Sequence, residues 1–329
     1  KLGIDPKLFT SSQVKRFFQT CKIKEIERNL IDLIFKYPKL KLKPFYNLDN
    51  NIVGEDQSSK IKKILIFLKK NKLDYIFISA PENVAWLLNI RGYDNPVSPI
   101  PNCRLFIKNK REIFLIGAKM QVRKLIIKKK IQKKQIIEPK NFKKFLENIK
   151  KGKIAIDDKT CSIFFEKLFK KKFTISNKSD PIYLMKAVKN KKEINNMIQS
   201  HIADGVALTK FLYWIKNKNK KKISEYEAQV KLEKFRKLNK KYLFPSFNTI
   251  AGSGKNGAII HYRAKKNTAK ILNKKDIFLC DSGGQYKYGT TDVTRTICFS
   301  NQSQNIKNIF TKVLKGHIAV ATTNINKDN

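Results

Sequence analysis

The sequence has 329 residues, with 71 Lys or Arg against 26 Asp or Glu, a formal charge of +45 and a hydrophobic fraction of 41% that includes 22 Phe. That length accommodates two domains and part of a third, each with a core of its own, and no apolar run approaches the roughly 18 residues of a membrane span. The basic excess is almost all lysine, with nine Arg in the chain and no aromatic-interleaved patch; alongside abundant Asn and Ile it reads as compositional bias on solvated faces, which argues against a specific nucleic-acid surface.

The N-terminus, "KLGIDPKLF", has no apolar core of a secretory signal. Cys21, Cys103, Cys161, Cys280 and Cys298 are odd in number, scattered and without a CxxC pair, which points to a reducing cytoplasm and away from a disulfide framework or a zinc knuckle. The chain lacks an initiator Met, and "NINKDN" follows directly on a helical pattern, so both ends read as cut. Along residues 1–45, "GIDPKLFTSSQVKRFFQTC" predicts a turn and then a helix capped by Ser11 or Ser12. "NLIDLIFKYPKLKLKPF" then ends in two prolines, a linker-like strip.

Residues 46–178 form the next unit. "SSKIKKILIFLKKNKL" predicts an amphipathic helix with Ser58 or Ser59 as cap, "DYIFISA" a strand, and "PENVAWLLNI" a helix. "CRLFIKNKREIFLIG" predicts a hairpin with Lys108 to Lys110 near its turn. Helices alternating with short strands indicate an α/β domain. In the third unit, 179–329, apolar residues recur at helical spacing from Asn190 to Lys216 (Ile194, Met197, Ile198, Ile202, Val206, Leu208, Phe211, Leu212, Ile215), predicting a long, partly buried helix. "SEYEAQVKLEKFRKL" follows with a capping box of Ser224 and Glu227.

The texture then changes to turn-rich strands. "FLCDSGGQYKYGTTDVTRTICF" carries Asp281 and Asp292, eleven positions apart. Asp281 ends an apolar strand starting at Asp276, and Asp292 lies in a Thr-rich β segment. A hairpin turn within residues 284–290 would pair the two strands and let both carboxylates converge on one face. Converging carboxylates in a partly dry site repel unless a cation sits between them or one is protonated. Hard oxygen donors suit Mn, Mg, Fe, Co or Zn; the bland alternative is a pair of turn-capping aspartates. His261 follows the apolar run "AII" and precedes Tyr262, on a strand end near the aspartates. His201, in the middle of the long helix, reads as a packing or capping residue, and His317 as structural.

At these residues the sequence resembles the pita-bread metallopeptidases, and among them the aminopeptidase P (X-Pro aminopeptidase) family of the three-domain cytosolic type. "GIDPKLFT", "NLIDLIF", "AWLLNIRGYDNPV", "KAVKNKKEI", "SHIADGVALTKFLYWI", "SFNTIAGSGKNGAIIHYRA", "DIFLCDSGGQYKYGTTDVTRT" and "VLKGHIAV" occur in that family's order. The resemblance implies a creatinase-like N-terminal α/β domain followed by the first half of a pita-bread catalytic domain, after the end of a first N-terminal domain in residues 1–45. It implies that Asp281 and Asp292 are ligands of two divalent ions, manganese first with zinc, cobalt or iron as alternatives. It further implies that His261 contacts the substrate near its proline and binds no metal. The implied activity is release of the N-terminal residue from peptides with proline second, by attack of a metal-bridging hydroxide, in a cytoplasmic enzyme that requires no membrane or specific nucleic acid and is compatible with a homodimer.

The family completes its metal site with a His in a Gly-rich segment and two Glu. After Asp292 this chain has no Glu, and its only His there is His317. The expectation is therefore a chain that stops about halfway through the catalytic domain and is inactive by itself. A non-catalytic pita-bread peptide-binding module, or a related prolidase- or creatinase-type hydrolase, is the alternative. Retention of both aspartates favours the peptidase.

Overall fold

The computed structural model describes residues 1–36, 42–217 and 222–325. The chain folds as two compact units, Lys1–Asn196 and Met197–Asn329.

In the first unit β1 (Leu2–Ile4) pairs in parallel with β2 (Ile23–Glu25), and α1 (Ser11–Phe17) lies between them in sequence. Thr10, not Ser11 or Ser12, caps α1. Its hydroxyl accepts from Gln13 N while the Gln13 side chain accepts from Thr10 N. The reciprocal Gln sits three residues after Thr10, whereas Val14 and Lys15 follow the two serines at that distance. After α2 (Leu30–Ile34), the proline strip runs into residues 37–41, outside the described ones.

β3 (Tyr46–Asn47) and α3 (Asn50–Val53) lead into α4 (Gln57–Lys70). Asp56 caps α4 by accepting from Ser59 N, so the cap lies ahead of both serines expected in that role. A carboxylate there also faces the favourable end of the helix dipole. Next come β4 (Tyr75–Ile78), α5 (Pro81–Leu87) and β5 (Ile90–Arg91), which pairs with β3. The expected hairpin is β6 (Arg104–Lys108) with β7 (Ile113–Ile116), its turn closed by Lys108 N donating to Glu112 O. α6 (Lys119–Ile127), β8 (Ile136–Ile137), α7 (Phe142–Glu147), β9 (Lys153–Ile156), α8 (Ile163–Lys170), β10 (Thr174–Asn177) and α9 (Ile182–Ala187) complete the unit.

Six of these strands form one mixed sheet, ordered β10-β9-β4-β6-β7-β8. Alternation along β4 divides its core in two. Ile76 and Ile78 join Ile64 and Leu68 of α4 and Val122 and Leu125 of α6. Tyr75 and Phe77 face a phenylalanine-rich layer with Phe142, Phe169 and Phe173. Both faces are covered, which is why these strands read as continuous apolar runs.

α10 (Lys191–Asn217) runs from the first unit into the second. Its Leu208, Phe211 and Ile215 pack with Ala228 and Leu232 of α11 (Glu225–Lys237). Ser224 and Glu227 make the expected capping box. The burial of α10 is partial, as expected: in its N-terminal part Ile194, Met197, Ile198, Ile202 and Val206 are exposed. β11 (Tyr242–Pro245), β12 (Ile250–Ser253), β13 (Ile277–Ser282), β14 (Gly284–Tyr286) and β15 (Val293–Cys298) follow. β12, β13 and β15 form an antiparallel sheet in that order, and β14 pairs with β11. Ala251, Phe278, Cys280 and Ile297 close the core against the two helices. α12 (Gln304–Ala321), capped by Ser303, has no buried residue.

Candidate metal centre

One hairpin carries both aspartates. β13 pairs with β15 in a register that sets Asp281 opposite Thr294 and Ser282 opposite Val293. The same register continues beyond the regular strands. Thr291 N donates to Gly284 O at 2.9 Å, Gln285 bridges to Thr290, and Tyr286 N donates to Gly289 O at 2.8 Å. The chain therefore reverses at Lys287 and Tyr288, inside the span expected for the turn. Asp292 stands opposite Gly283, on the same face as Asp281 and diagonal to it, a relation that separates positions by about 7–8 Å. Asp281 is half-buried and Asp292 exposed. Thr294 Oγ1 donates to Asp281 Oδ1 at 2.8 Å, fixing one carboxylate oxygen and leaving the other open.

Glycine is required at position 283 by close approach. A Cβ there would meet Ser246 Oγ, Thr291 O and the Phe247 ring. Ser246 N donates to Gly283 O at 3.1 Å and Ser246 Oγ to Thr291 O at 2.8 Å, which binds both arms of the hairpin to the segment after β11.

On the opposite side of β13 and β14 lies a buried charged cluster. Arg236 of α11 donates through Nε to Asp204 Oδ1 at 2.7 Å and through Nη2 to Asp204 Oδ2 at 3.1 Å and Ser282 Oγ at 3.0 Å. Tyr286 donates its hydroxyl to Asp204 Oδ1 at 2.9 Å. Burial works against the guanidinium charge, but the Asp204 bonds outweigh it and raise the Arg236 pKa.

His261 is not on a strand end. The chain leaves the sheet after Ser253, where Gly254 adopts φ 58° and a short 3-10 helix, Gly254–Ala258, begins. His261 then falls in an exposed turn at φ 54°. Its neighbour Tyr262 is tied down: the Tyr262 hydroxyl donates to Glu225 at 2.8 Å. The fully buried Glu225 also accepts from Ser253 N at 2.7 Å, Asn256 Nδ2 at 3.0 Å and Lys270 N at 2.9 Å. Burial and then the Glu225 carboxylate push the Tyr262 pKa up to about 12. His201 is exposed on α10 with Nδ1 2.9 Å from Met197 O, so it is neither packed nor at a helix end. His317 is exposed on α12.

Two carboxylates on one face, one of them with a free oxygen, fit a hard divalent cation as part of its donor set. Among the described residues no group of three or more His, Cys, Asp or Glu could hold a metal ion. The structure adds four residues that sequence reasoning did not single out: Thr294, Glu225, Asp204 and Arg236. A lone acid on an apolar helical stripe and one of nine arginines in a lysine-rich chain were the available signals for the last two.

Residues 36–193 match the model of the Creatinase/Prolidase N-terminal domain and residues 195–326 that of Metallopeptidase family M24. The Xaa-Pro aminopeptidase ApepP of Drosophila melanogaster is 33% identical over 338 residues, covering 98% of this chain and 54% of that protein. The probable Xaa-Pro aminopeptidase P of Laccaria bicolor is 32% identical over 339 residues, covering 98% and 52%. Among solved structures, the X-prolyl aminopeptidase of Caenorhabditis elegans, described as a cytosolic enzyme with a di-nuclear active site, superposes with TM-score 0.87 at 28% identity, over 98% of this chain and 55% of that one. The prolidase of Pyrococcus horikoshii superposes with TM-score 0.58 at 26% identity, over 78% and 69%. The chain thus spans about half the length of the curated relatives it matches. The expected fold class, an α/β N-terminal domain followed by a pita-bread domain, agrees with these matches.

Proposed function

This chain belongs to the M24 metallopeptidases that carry a creatinase/prolidase N-terminal domain, and from that premise we propose that it forms part of an X-Pro aminopeptidase, which releases the N-terminal residue of peptides with proline second. The observation that carries this reading is the hairpin register that sets Asp281 and Asp292 on one face. Both would serve as oxygen ligands to two divalent ions, manganese before zinc, cobalt or iron. When bound, such ions acidify a water and polarise the scissile carbonyl.

The chain's own residues prepare that site. Thr294 holds one oxygen of Asp281 and so orients the other. Tyr262 is anchored on Glu225, and the exposed His261 beside it would meet the second residue of the substrate. A proline there has no N–H, so recognition falls on its ring and carbonyl, and His261 supplies a donor for the carbonyl. The organisation proposed is the end of a first N-terminal domain in 1–45, a creatinase-like domain in 46–178 and the first half of the catalytic domain in 179–329. The further His and two Glu ligands would lie in the portion of the relatives' length that this chain does not span. A cytoplasmic location accords with the cytosolic nematode relative; no helix among the described residues is long and apolar enough to cross a membrane.

The test is metal analysis and X-Pro peptide hydrolysis on the protein expressed with its natural flanking sequence. Asp281→Asn and Asp292→Asn should each lower bound metal and reduce turnover beyond the ~10–100-fold that outer-shell substitutions cost. Unchanged metal content in both variants would remove the assignment.

A further inference from the structure

Arg236 is 1% and Asp204 2% exposed. Desolvating both charges offsets most of their attraction, and apolar replacements of such pairs are often as stable. The pair is therefore poorly explained as a source of stability alone, and the direction of its remaining bonds is more informative. Both go to the hairpin. Arg236 Nη2 bonds Ser282, the residue directly after Asp281, and Asp204 accepts from Tyr286, the last residue before the chain reverses. The two contacts grip the two ends of the 282–286 segment from behind. A Cβ at Gly284, midway between them, would meet the Tyr286 and Tyr242 rings and Asp204 Oδ1, so the Asp204 carboxylate lies directly against this strand.

Register is what such a grip controls. A slip of one residue between the arms would carry every side chain to the other face, separating Asp292 from Asp281. The β13–β15 ladder ends at Ser282 and Val293. Beyond it residues 284–291 are held across the arms by two backbone bonds, side-chain bonds of Gln285, Thr290 and Thr291 and a short turn, and the pair adds a hold from behind at both ends of the 282–286 segment. We propose that the buried Asp204–Arg236 pair is a positioning device: through Ser282 and Tyr286 it fixes the hairpin register that holds Asp281 and Asp292 on one face. Its consequence for metal affinity rests on the metal-ligand reading of the two aspartates; its consequence for the hairpin does not.

The experiment removes the two hydroxyls and leaves the ion pair, in Ser282→Ala/Tyr286→Phe, with Arg236→Met/Asp204→Leu as the apolar replacement. Asp292→Asn is the ligand control, and all are made in the protein with its natural flanking sequence. Amide hydrogen exchange is followed without metal, and Mn2+ affinity by calorimetry. Gly284 and Thr291 amides should exchange at least about tenfold faster in both double variants, while β12 amides keep the wild-type rate. The Mn2+ dissociation constant should rise about tenfold, the low end for residues acting behind ligands. Unchanged hairpin exchange overturns the proposal, and so does faster exchange with unchanged Mn2+ affinity. If wild type binds Mn2+ no better than Asp292→Asn, the metal reading fails instead, and hairpin exchange alone decides whether the pair fixes the register.

Discussion

Nζ of Lys60 donates to Trp86 O at 2.9 Å and Asn89 Oδ1 at 2.7 Å and lies 3.9 Å from the centre of the Trp86 ring. Burial lowers its pKa from 10.5 to about 8, with Glu193 and Glu55 pulling the other way. Between those two values the unfolded chain keeps the proton that the folded chain has released, so stability rises with pH across that window. Below pH 8 the charged form persists in both states and burial costs stability. Relative to Lys60→Met, wild type should gain on the order of 2 kcal/mol between pH 8 and 10.5 in urea unfolding. Parallel stability curves for the two proteins would show that Lys60 does not titrate in the fold. His261 offers a second single-residue test, because φ 54° is a conformation glycine adopts freely. His261→Gly should hold its stability and metal content while turnover of an X-Pro peptide falls on the order of 10²-fold, the loss of one pocket donor. Metal lost together with activity would make His261 a ligand.

Helix and strand patterns were readable in the sequence because each rests on local chemistry. The β6–β7 hairpin, the length of α10 and the Ser224–Glu227 box follow from periodicity and short-range bonds. The caps of α1 and α4 lie one to three positions ahead of the expected serines, since Thr10 and Asp56 offer competent oxygens just before them; the reciprocal Gln13 bond selects Thr10, and the bond from Ser59 N selects Asp56. The aspartate hairpin was legible as a hairpin; its partners were not, because Arg236 and Asp204 meet it from helices up to 82 residues away in sequence, and Glu225 reaches the neighbouring 253–270 segment from α11. Glu225 illustrates what such a distant partner does. It opens α11 yet ties the segment from Ser253 to Lys270 through four donors. Glu225→Ala would leave the buried Ser253 N without its acceptor, at about 1–3 kcal/mol, and the Tyr262 pKa should fall from about 12 towards the ordinary ~10. A spectroscopic titration of the tyrosines, with Tyr262→Phe to identify the transition, reads this. A Tyr262 transition that stays high would mean that burial alone holds it.

Across the whole molecule, apolar surface and charge make opposite demands. The six-stranded sheet buries both its faces, whereas α12 buries nothing and exposes Ile309, Phe310, Val313 and Leu314, and α10 exposes Ile202 and Val206. An amphipathic helix of 18 residues without packing is only marginally stable, so the earliest cuts in limited proteolysis of the 329-residue chain should fall within Gln304–Ala321. The same apolar rows favour association, but a charge of +45 opposes it through mutual repulsion. Salt separates the two effects. Repulsion is screened over about 10 Å at 0.1 M and 3 Å at 1 M, while apolar contact is not weakened. The chain should therefore be mainly monomeric at low salt and gain mass in light scattering as salt rises towards about 0.5 M. Removing α12 at Ser303 should reduce that gain. A mass that falls with salt would mean that complementary charges hold the copies together, and a gain unaffected by loss of α12 would move the contact to another surface, with the exposed row on α10 the next to test by Ile202→Lys.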